Sequence, residues 1–270
     1  MAKLMTLGAG NMASALLFPM RNSLEGFYAF TPSVTKAAEL AKTMGGKCIE
    51  TLDRYPKDVD FLFLAFKPQQ FDQASNELLE KAKIKEGTVI VSMLAGTPLE
   101  VLKEKFNSDR VVRIMPNTPC TTGKGVILTL FGAGVNDEEK KELLFLLNTA
   151  GMTHDCESED QFDAITAVTG SGPAYIFEYA RQMASYLESV GVKETKDLVA
   201  QLFLGTSKLM TDSPLDFETL RNNVTSKKGV TYEALESFKA DKWEELTHRG
   251  LQKNLKRSLE LRENALKLRK

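Results

Sequence analysis

The chain has 270 residues, enough to bury a substantial core in one or two domains. Its 43% of hydrophobic and 26% of charged residues are ordinary for a soluble globular protein, and a net charge of −1 excludes a general attraction to nucleic acid or membranes. No apolar run reaches the roughly 18 residues of a membrane span, no signal peptide is recognisable, and three cysteines lie at no metal-binding spacing, so we expect a cytoplasmic protein.

The first part of the chain is predicted to alternate strands with helices. The predicted strands cover residues 4–7, 27–31, 47–50, 59–66, 88–94, 111–114, 126–130 and 152–154. The predicted helices cover residues 12–20, 35–44, 71–82, 99–106 and 137–148. Pro19 is expected to kink or shorten the first helix. The strand at 59–66 is almost entirely apolar, as is typical of a central strand covered on both faces, and the alternation predicts a parallel, doubly wound α/β sheet.

After about residue 157 the pattern is helical only. Helices are predicted at 161–190, 195–210, 231–238 and from Trp243 onward, the first interrupted by Gly170-Ser171-Gly172-Pro173. We therefore expect an α/β domain at 1–157 and an all-α domain at 158–270. The segment 239–270 contains ten Lys or Arg and five Asp or Glu residues. Without interleaved aromatic residues, this pattern favours a partner-packed helix with a solvated basic face over a nucleic-acid or membrane site.

A glycine turn follows the first predicted strand and opens the first helix. Its pattern is Gly8-x-Gly10-x-x-Ala13, with Asn11 and Met12 at the start of the helix. The first glycine permits a tight turn, the second lets a pyrophosphate approach, and the small alanine lets helix and strand pack closely. This context predicts a Rossmann-type dinucleotide site, with an ordinary glycine turn as the alternative.

The end of the second predicted strand indicates which dinucleotide binds. Sites for NAD usually carry an acidic residue there, which accepts hydrogen bonds from the ribose hydroxyls. This chain has Thr31, Pro32 and Ser33 instead, with Lys36 one turn further on and no acid before Glu39. Because hydroxyls and a nearby cation suit a 2′-phosphate, we expect NADP to be favoured over NAD.

A second candidate anion site lies in the late segment 221–232, which directly precedes a predicted helix. It combines hydroxyl side chains, a glycine and the N–H groups of a helix N-terminus, which carry partial positive charge. A carboxylate is the anion that we expect here, and an ordinary helix cap is the alternative interpretation. A dinucleotide cradle and a carboxylate cradle on one chain suggest an enzyme that brings a nicotinamide to a small acid.

Motifs along essentially the whole chain resemble those of the pyrroline-5-carboxylate reductase family. The matching strings are Gly8-Ala9-Gly10-Asn11-Met12-Ala13, Thr31-Pro32-Ser33, Ala65-Phe66-Lys67-Pro68-Gln69, Ala95-Gly96, Val112-Arg113-Ile114-Met115-Pro116-Asn117-Thr118-Pro119, Thr169-Gly170-Ser171-Gly172-Pro173-Ala174-Tyr175, and Asn223-Val224-Thr225-Ser226 with Gly229 and Thr231. The Met-Pro-Asn-Thr-Pro and Gly-Ser-Gly-Pro-Ala-Tyr strings are specific in this order and spacing. They outweigh the dinucleotide motif taken alone.

The resemblance implies reduction of 1-pyrroline-5-carboxylate to L-proline by hydride transfer from NADPH, with NADH the weaker donor. It implies cofactor-binding roles for Gly8, Gly10, Asn11, Met12, Ala13, Thr31, Ser33, Lys36, Ala65, Lys67, Pro68, Ala95, Gly96, Asn117 and Asn223. It implies that the substrate is bound by Ser226, Gly229, Val230 and Thr231. The Thr231 hydroxyl would reach the ring nitrogen, and Thr231 and Ser226 would be the catalytic pair. No metal is expected.

The late loop departs from the usual family pattern at Lys227 and Lys228. If residue 228 has a positive φ, a lysine there costs roughly 1 kcal/mol relative to glycine. An added cation would also suit a dicarboxylic substrate. Two alternatives therefore stand beside the proline-forming reductase: a related NADP-dependent reductase of another small imino or keto acid, and a non-catalytic dinucleotide-binding homologue.

The resemblance also implies interlocked homodimers in which the helical domains of both subunits complete each site, up to a decamer of dimers. The composition of the helical part agrees, because its predicted helices are apolar on more than one face. Catalysis would need little from side chains, since a cyclic imine is protonated readily and the protein must chiefly orient it. We accordingly expect His154 and His248 to be structural or exposed, and no nucleophilic role for Cys120.

Overall fold

A computed structural model describes residues 1–267 of the chain. Its strands are β1 (Lys3–Leu7), β2 (Gly26–Phe30), β3 (Lys47–Cys48), β4 (Phe61–Leu64), β5 (Val89–Ser92), β6 (Val111–Met115), β7 (Gly125–Phe131) and β8 (Gly151–Asp155). Its α-helices are α1 (Asn11–Leu17), α2 (Val34–Thr43), α3 (Phe71–Lys81), α4 (Leu99–Phe106), α5 (Asp137–Asn148), α6 (Glu159–Thr169), α7 (Gly172–Ser189), α8 (Thr195–Asp212), α9 (Phe217–Asn223), α10 (Val230–Ala240) and α11 (Trp243–Lys267). None of these helices is long and apolar enough to cross a membrane.

The eight strands form one sheet in the order β3-β2-β1-β4-β5-β6-β7-β8. The six strands β1–β6 are mutually parallel, as the alternation of strands and helices predicts. The predicted parallel, doubly wound sheet is thus confirmed for these strands, and it departs from parallel at the far edge, where β7 pairs antiparallel with β6 and β8 runs parallel to β7. The reason is the connection between β6 and β7, which contains only the short 3₁₀ helix Thr118–Thr122 and no crossover α-helix.

The strand order reverses direction between β1 and β4. From β1 the chain moves to β2 and β3 on one side of the sheet, and then returns to place β4 on the other side. In open α/β sheets, ligands bind in the crevice at the carboxyl ends of the strands that flank such a reversal. The glycine turn after β1 and the loop after β4 therefore lie at the position where a dinucleotide is expected.

The centre of the sheet is covered on both faces. All four residues of β4 are at most 1% exposed, and they alternate between two hydrophobic clusters. Phe61 and Phe63 pack on the side of α1 and α2, whereas Leu62 and Leu64 pack on the side of α3 and α4. The uninterrupted apolar sequence of this strand is thus explained by burial on two faces.

The predicted shortening of the first helix by Pro19 is confirmed. Helix α1 ends at Leu17 and continues as the 3₁₀ helix Phe18–Ser23, with the proline in its first turn. Proline is tolerated there because the first N–H groups of a helix have no partner within it. The predicted break at Gly170-Ser171-Gly172-Pro173 is also confirmed, since α6 ends at Thr169 and α7 begins at Gly172.

The chain forms two compact units. The sheet unit comprises Met1–Pro173 together with the chain from Asn254 onward, and the helical unit comprises Ala174–Lys253. Helix α6 and the second half of α11 belong to the sheet unit because they pack beside the sheet. The predicted domain boundary at residues 157/158 falls just after the last strand, where strands give way to helices. As a boundary between domains it stays a prediction.

Candidate functional site

The glycine turn between β1 and α1 lies directly against the loop after β4. Gly8 has φ +110°, and a Cβ at this position would overlap the carbonyl oxygen of Ala65. Its N–H donates to the carbonyl of Phe30 at 2.8 Å, which ties the turn to the end of β2 as well. Only glycine satisfies both conditions. The turn thus brings together the ends of β1, β2 and β4, and it places predicted cofactor residues from two loops side by side.

The N-terminus of α1 is open to a ligand. Gly10 occupies the N-cap position with no side-chain hydrogen bond, and a Cβ added to it would meet nothing within 4 Å. Asn11 is exposed and Met12 half-buried, while Ala13 is buried against the sheet. Since the first N–H groups of a helix have no partner within it, this end can accept an anion such as a pyrophosphate.

The end of β2 presents hydroxyl groups and a cation. Thr31 is half-buried and lines a cavity of about 100 Å³ together with residues of β1, α3 and the loop after β4. Ser33 is the N-cap of α2, but its hydroxyl accepts no hydrogen bond from the N–H groups of the helix, and the residue is exposed. Lys36 is exposed in the first turn of the same helix. These three groups have the chemistry that a 2′-phosphate needs.

The loop after β4 contains further predicted cofactor residues. Ala65 and Pro68 are half-buried, and Lys67 is exposed. The N–H of Lys67 donates to Oε1 of Gln70 at 3.3 Å, where the 3₁₀ helix Pro68–Gln70 begins. The side chain of Lys67 therefore projects from a loop whose backbone is held locally, at the carboxyl edge of the sheet.

Helix α11 covers the loop after β5, a contact that was not predicted from the sequence. Ala95 is exposed, but Gly96 is buried with φ +69°, and a Cβ on it would lie 2.7 Å from Cβ of Leu261 in α11. The absence of a side chain at Gly96 therefore allows α11 to approach. Its predicted cofactor role is confined to its backbone.

Asn117 ties three elements together at the end of β6. Its Nδ2 donates to the carbonyl of Thr169 at 3.0 Å, and its Oδ1 accepts from the N–H of Val126 at 2.9 Å. The side chain is 6% exposed. The structure thus places this predicted cofactor residue as a brace between the loop after β6, the start of β7 and the end of α6. Its contact with a cofactor stays a prediction.

The helical unit carries the second candidate anion site. Helix α10 begins at Val230, its N-cap is Gly229, and no side chain caps its N-terminus. Ser226 and Thr231 are both exposed beside this end, and the Ser226 hydroxyl lies so close to Gly229 that any Cβ there would overlap it. Serine and threonine hydroxyls next to free helix N–H groups suit a carboxylate. Asn223, the last residue of α9, is exposed on the same unit.

Lys228 has φ +60°, which is the left-handed conformation considered for this position. A lysine there is strained by roughly 1 kcal/mol relative to glycine. Lys227 and Lys228 are both exposed. The loop therefore adds two positive charges next to the N-terminus of α10.

Acid–base and metal chemistry find little support among residues 1–267. No group of three or more His, Cys, Asp or Glu side chains in this range could hold a metal ion. His154 and His248 are both exposed. Cys120 is buried, and its burial raises the pKa of the thiol, which opposes a nucleophilic role.

A buried ionic cluster beside the site was missed by sequence reasoning. Arg113 on β6, almost fully buried, pairs with Glu159 and lies 3.9 Å from Asp163, both on α6. Its guanidinium stacks 4.2 Å from the ring centre of Phe162. Arg262 on α11 lies 2.9 Å from Asp163 and 2.6 Å from Asp160. Only the position of Arg113 within a motif string could have drawn attention to it.

Comparison with known proteins identifies two regions of similarity. Residues 159–261 match the family model described as pyrroline-5-carboxylate reductase dimerisation. Residues 3–96 match the model described as NADP oxidoreductase coenzyme F420-dependent. These two regions correspond to the helical part and to the first half of the sheet.

The relatives that match this chain over most of its length share the name pyrroline-5-carboxylate reductase. The pyrroline-5-carboxylate reductase of Staphylococcus haemolyticus is 30% identical over 97% of this chain and 98% of its own, and that of Staphylococcus aureus is 31% identical over 87% of this chain. The Plasmodium falciparum pyrroline carboxylate reductase with NADP bound superposes with a TM-score of 0.85 at 23% identity, covering 97% of this chain and 98% of its own. The Coxiella burnetii pyrroline-5-carboxylate reductase gives a TM-score of 0.86 at 24% identity, over 96% and 98%.

Proposed function

The chain belongs to the pyrroline-5-carboxylate reductase family, and we propose that it reduces 1-pyrroline-5-carboxylate to L-proline with NADPH. The observation that carries this proposal is the presence of two helix N-termini without side-chain caps, α1 behind the glycine turn and α10 behind Ser226. The first suits a pyrophosphate and the second a carboxylate. A dinucleotide and a small acid are the two anions that this reaction requires.

NADPH supplies the hydride that adds to the imine carbon of the substrate. Gly8 and Gly10 leave the N-terminus of α1 open, so its N–H groups would hold the pyrophosphate. Thr31, Ser33 and Lys36 would hold the 2′-phosphate. No acidic residue lies between the end of β2 and Lys36 to accept from the ribose hydroxyls of NADH. We therefore propose that NADPH is preferred and that NADH is used weakly.

The substrate would be held by the loop before α10. The N–H groups of Gly229 and Val230, with the Ser226 hydroxyl, would bind the ring carboxylate. The Thr231 hydroxyl would accept a hydrogen bond from the protonated ring nitrogen and hold that proton as the imine is reduced. Such an arrangement works by orientation, which can supply a large part of the rate enhancement when the reacting atoms are held in line.

The domains divide this work. We propose that residues 1–157 bind the nucleotide and that residues 158–270 bind the substrate and another copy of the chain. The model of a dimerisation domain matched by residues 159–261 supports a homo-oligomer. The finer assembly that we propose is a homodimer in which both helical domains complete each site, extending to a decamer of dimers. We also propose a cytoplasmic location, because all three cysteines are free.

Initial rates with pyrroline-5-carboxylate and either NADPH or NADH test the proposal. We expect NADPH to be oxidised with the higher kcat/KM, and the Ser33→Ala, Lys36→Ala double variant to lower that preference selectively. Equal efficiency with the two cofactors would remove Thr31, Ser33 and Lys36 from a 2′-phosphate pocket. NADPH oxidation with other small imino or keto acids but not with pyrroline-5-carboxylate would overturn the proposed substrate. No turnover with any of them would indicate a non-catalytic homologue.

A further inference from the structure

The second half of α11 carries a polar stripe that faces the sheet unit. Asn254, Ser258 and Arg262 follow each other at four-residue spacing, which places them on one face of the helix. The Asn254 amide donates to the Ser171 hydroxyl at 2.9 Å, and the Ser258 hydroxyl donates to Oδ1 of Asp163 at 3.1 Å. All three side chains thus contact α6 or the turn that follows it.

Asp163 is the centre of these contacts. It is 1% exposed, so its charge must be compensated by neighbouring groups. Arg262 lies 2.9 Å from Oδ2, and Arg113 lies 3.9 Å from Oδ1. The ionic cluster therefore joins three elements, β6, α6 and α11, at a buried point. Its second carboxylate, Glu159, accepts the Leu99 N–H at 2.7 Å at the start of α4.

The same stretch of α11 contacts the loop after β5, which contains the predicted cofactor residues Ala95 and Gly96, and the turn between α6 and α7, which belongs to a matching motif string. Leu261 lies against Gly96 in the loop after β5. Asn254 holds Ser171 in the turn between α6 and α7, while Asn117 holds the preceding Thr169 from the other side. On the α11 side, both loops are thus contacted by residues that belong to no motif string, Leu261 and Asn254.

We propose that Asn254, Ser258 and Arg262 are positioning residues that hold these two loops in place around the nicotinamide end of the cofactor. The inference rests on the proposed function, since it takes both loops to lie beside bound NADPH. The adenosine end would lie at α1 and α2, whereas α11 contacts the loop after β5 and the turn between α6 and α7. Loss of the stripe should therefore affect the nicotinamide end selectively. A misplacement of about 1 Å in such a support can lower a rate up to about 100-fold.

The test compares Arg262→Met and Asn254→Ala with the control Arg257→Met. Arg257 lies on the same helix and pairs with Glu260, but its side chain is 64% exposed. We expect each stripe variant to lower kcat by about tenfold or more, and to weaken binding of NADPH. Binding of adenosine 2′,5′-bisphosphate, which lacks the nicotinamide, should not change. Arg262→Lys should recover part of kcat, and the control should match the wild type.

Two results would overturn the inference. One is a wild-type kcat in both Arg262→Met and Asn254→Ala. The other is an equal loss of NADPH and bisphosphate binding, which indicates general destabilisation. If Arg262→Met does not fold, Asn254→Ala still tests the positioning role, because it removes a neutral hydrogen bond and leaves the ionic cluster intact. An inactive wild type would contradict the proposed function, while the two binding constants would still test the positioning role.

Discussion

The two compact units of the molecule differ sharply in how they bury their apolar residues. In the sheet unit, every residue of β4 and β5 is buried. Between Ala174 and Lys253 only Thr195 and Val199 are buried. The exposed apolar side chains of the helical unit include Phe177, Tyr186, Leu198, Leu202, Leu204 and Phe217, of which Phe217 is 74% exposed. The sheet unit has a buried core within one chain, whereas the helical unit leaves many of its large apolar side chains exposed.

This difference indicates which parts of the fold depend on contact with another chain. Soluble monomers rarely expose contiguous apolar patches of this extent, and larger ones mark interaction surfaces. The helical unit therefore needs a partner to bury helices that a single copy cannot cover. The sheet unit buries its core within one chain, so we expect the glycine turn to bind the pyrophosphate within one chain and assembly to depend on the helical unit. Four sets of substitutions test this division.

The largest effect is expected from a charge in the exposed surface of α8. Leu202 is 54% exposed in the single chain. If another copy covers it, Leu202→Glu buries an unpaired charge and should destabilise the assembly by about 4 kcal/mol or more. Light scattering should then show a smaller species. The control is Leu79→Glu in the sheet unit, at a position 43% exposed, which should keep the wild-type mass and Tm. The same mass and Tm for both variants would contradict the proposed difference between the two units.

The next effect belongs to the glycine turn of the sheet unit. Gly8→Ala forces a side chain into a left-handed position and against the Ala65 carbonyl, and should cost about 3 kcal/mol of stability. Gly10→Ala meets no neighbour and should keep the wild-type Tm, but it should weaken NADPH binding. Thermal unfolding and cofactor titration separate the two. Tight NADPH binding by Gly10→Ala would place the pyrophosphate elsewhere.

An intermediate effect is expected in the loop before α10. Thr231→Val should lower kcat/KM for the imine by roughly 1.5–3 kcal/mol, the range of a hydrogen bond to a charged group. The dissociation constant of NADPH should barely change, because the nucleotide cradle lies in the sheet unit. Thr231→Ser, which keeps the hydroxyl, should retain most of the activity. An unchanged rate in Thr231→Val would exclude this residue from the active site.

The smallest effect concerns the strained lysine of the same loop. Lys228 has φ +60°, so Lys228→Gly should raise the free energy of unfolding by about 1 kcal/mol. Lys227 is not among the residues with positive φ. Lys227→Gly should therefore lower stability slightly, since glycine loses more backbone freedom on folding. The same sign for both substitutions, measured by denaturant unfolding, would contradict the conformation of this loop.

Local sequence signals predicted most of the elements. Pro19 and Gly170-Ser171-Gly172-Pro173 marked the ends of two helices, and the apolar run at 59–66 marked the central strand. Helix α9 was not predicted, because its seven residues carry too few apolar positions to show a periodicity. The reversal at β7 was missed although no helix was predicted between the strands at 111–114 and 126–130. Apolar periodicity carries no information on strand direction, but the lack of a crossover helix between two neighbouring strands does.

The candidate site was predictable only where its residues are adjacent in sequence. The glycine turn and the loop before α10 each act through a few consecutive residues and a helix end. The contacts of Gly96 with Leu261, and of Arg113 with Asp163, join residues far apart in the chain. Sequence reasoning assigned Gly96 to the cofactor and did not single out Arg262, since no local pattern shows which helix covers a loop.

The central claim is that this chain transfers a hydride from NADPH to the imine carbon of pyrroline-5-carboxylate. It is tested most directly by turnover with NADPH deuterated at the transferred position, followed by analysis of the product. We expect L-proline with deuterium on carbon 5 of the ring, formed in equal amount to the NADP produced. NADPH oxidation without labelled proline, or no turnover of this imine by the intact oligomer, would contradict it.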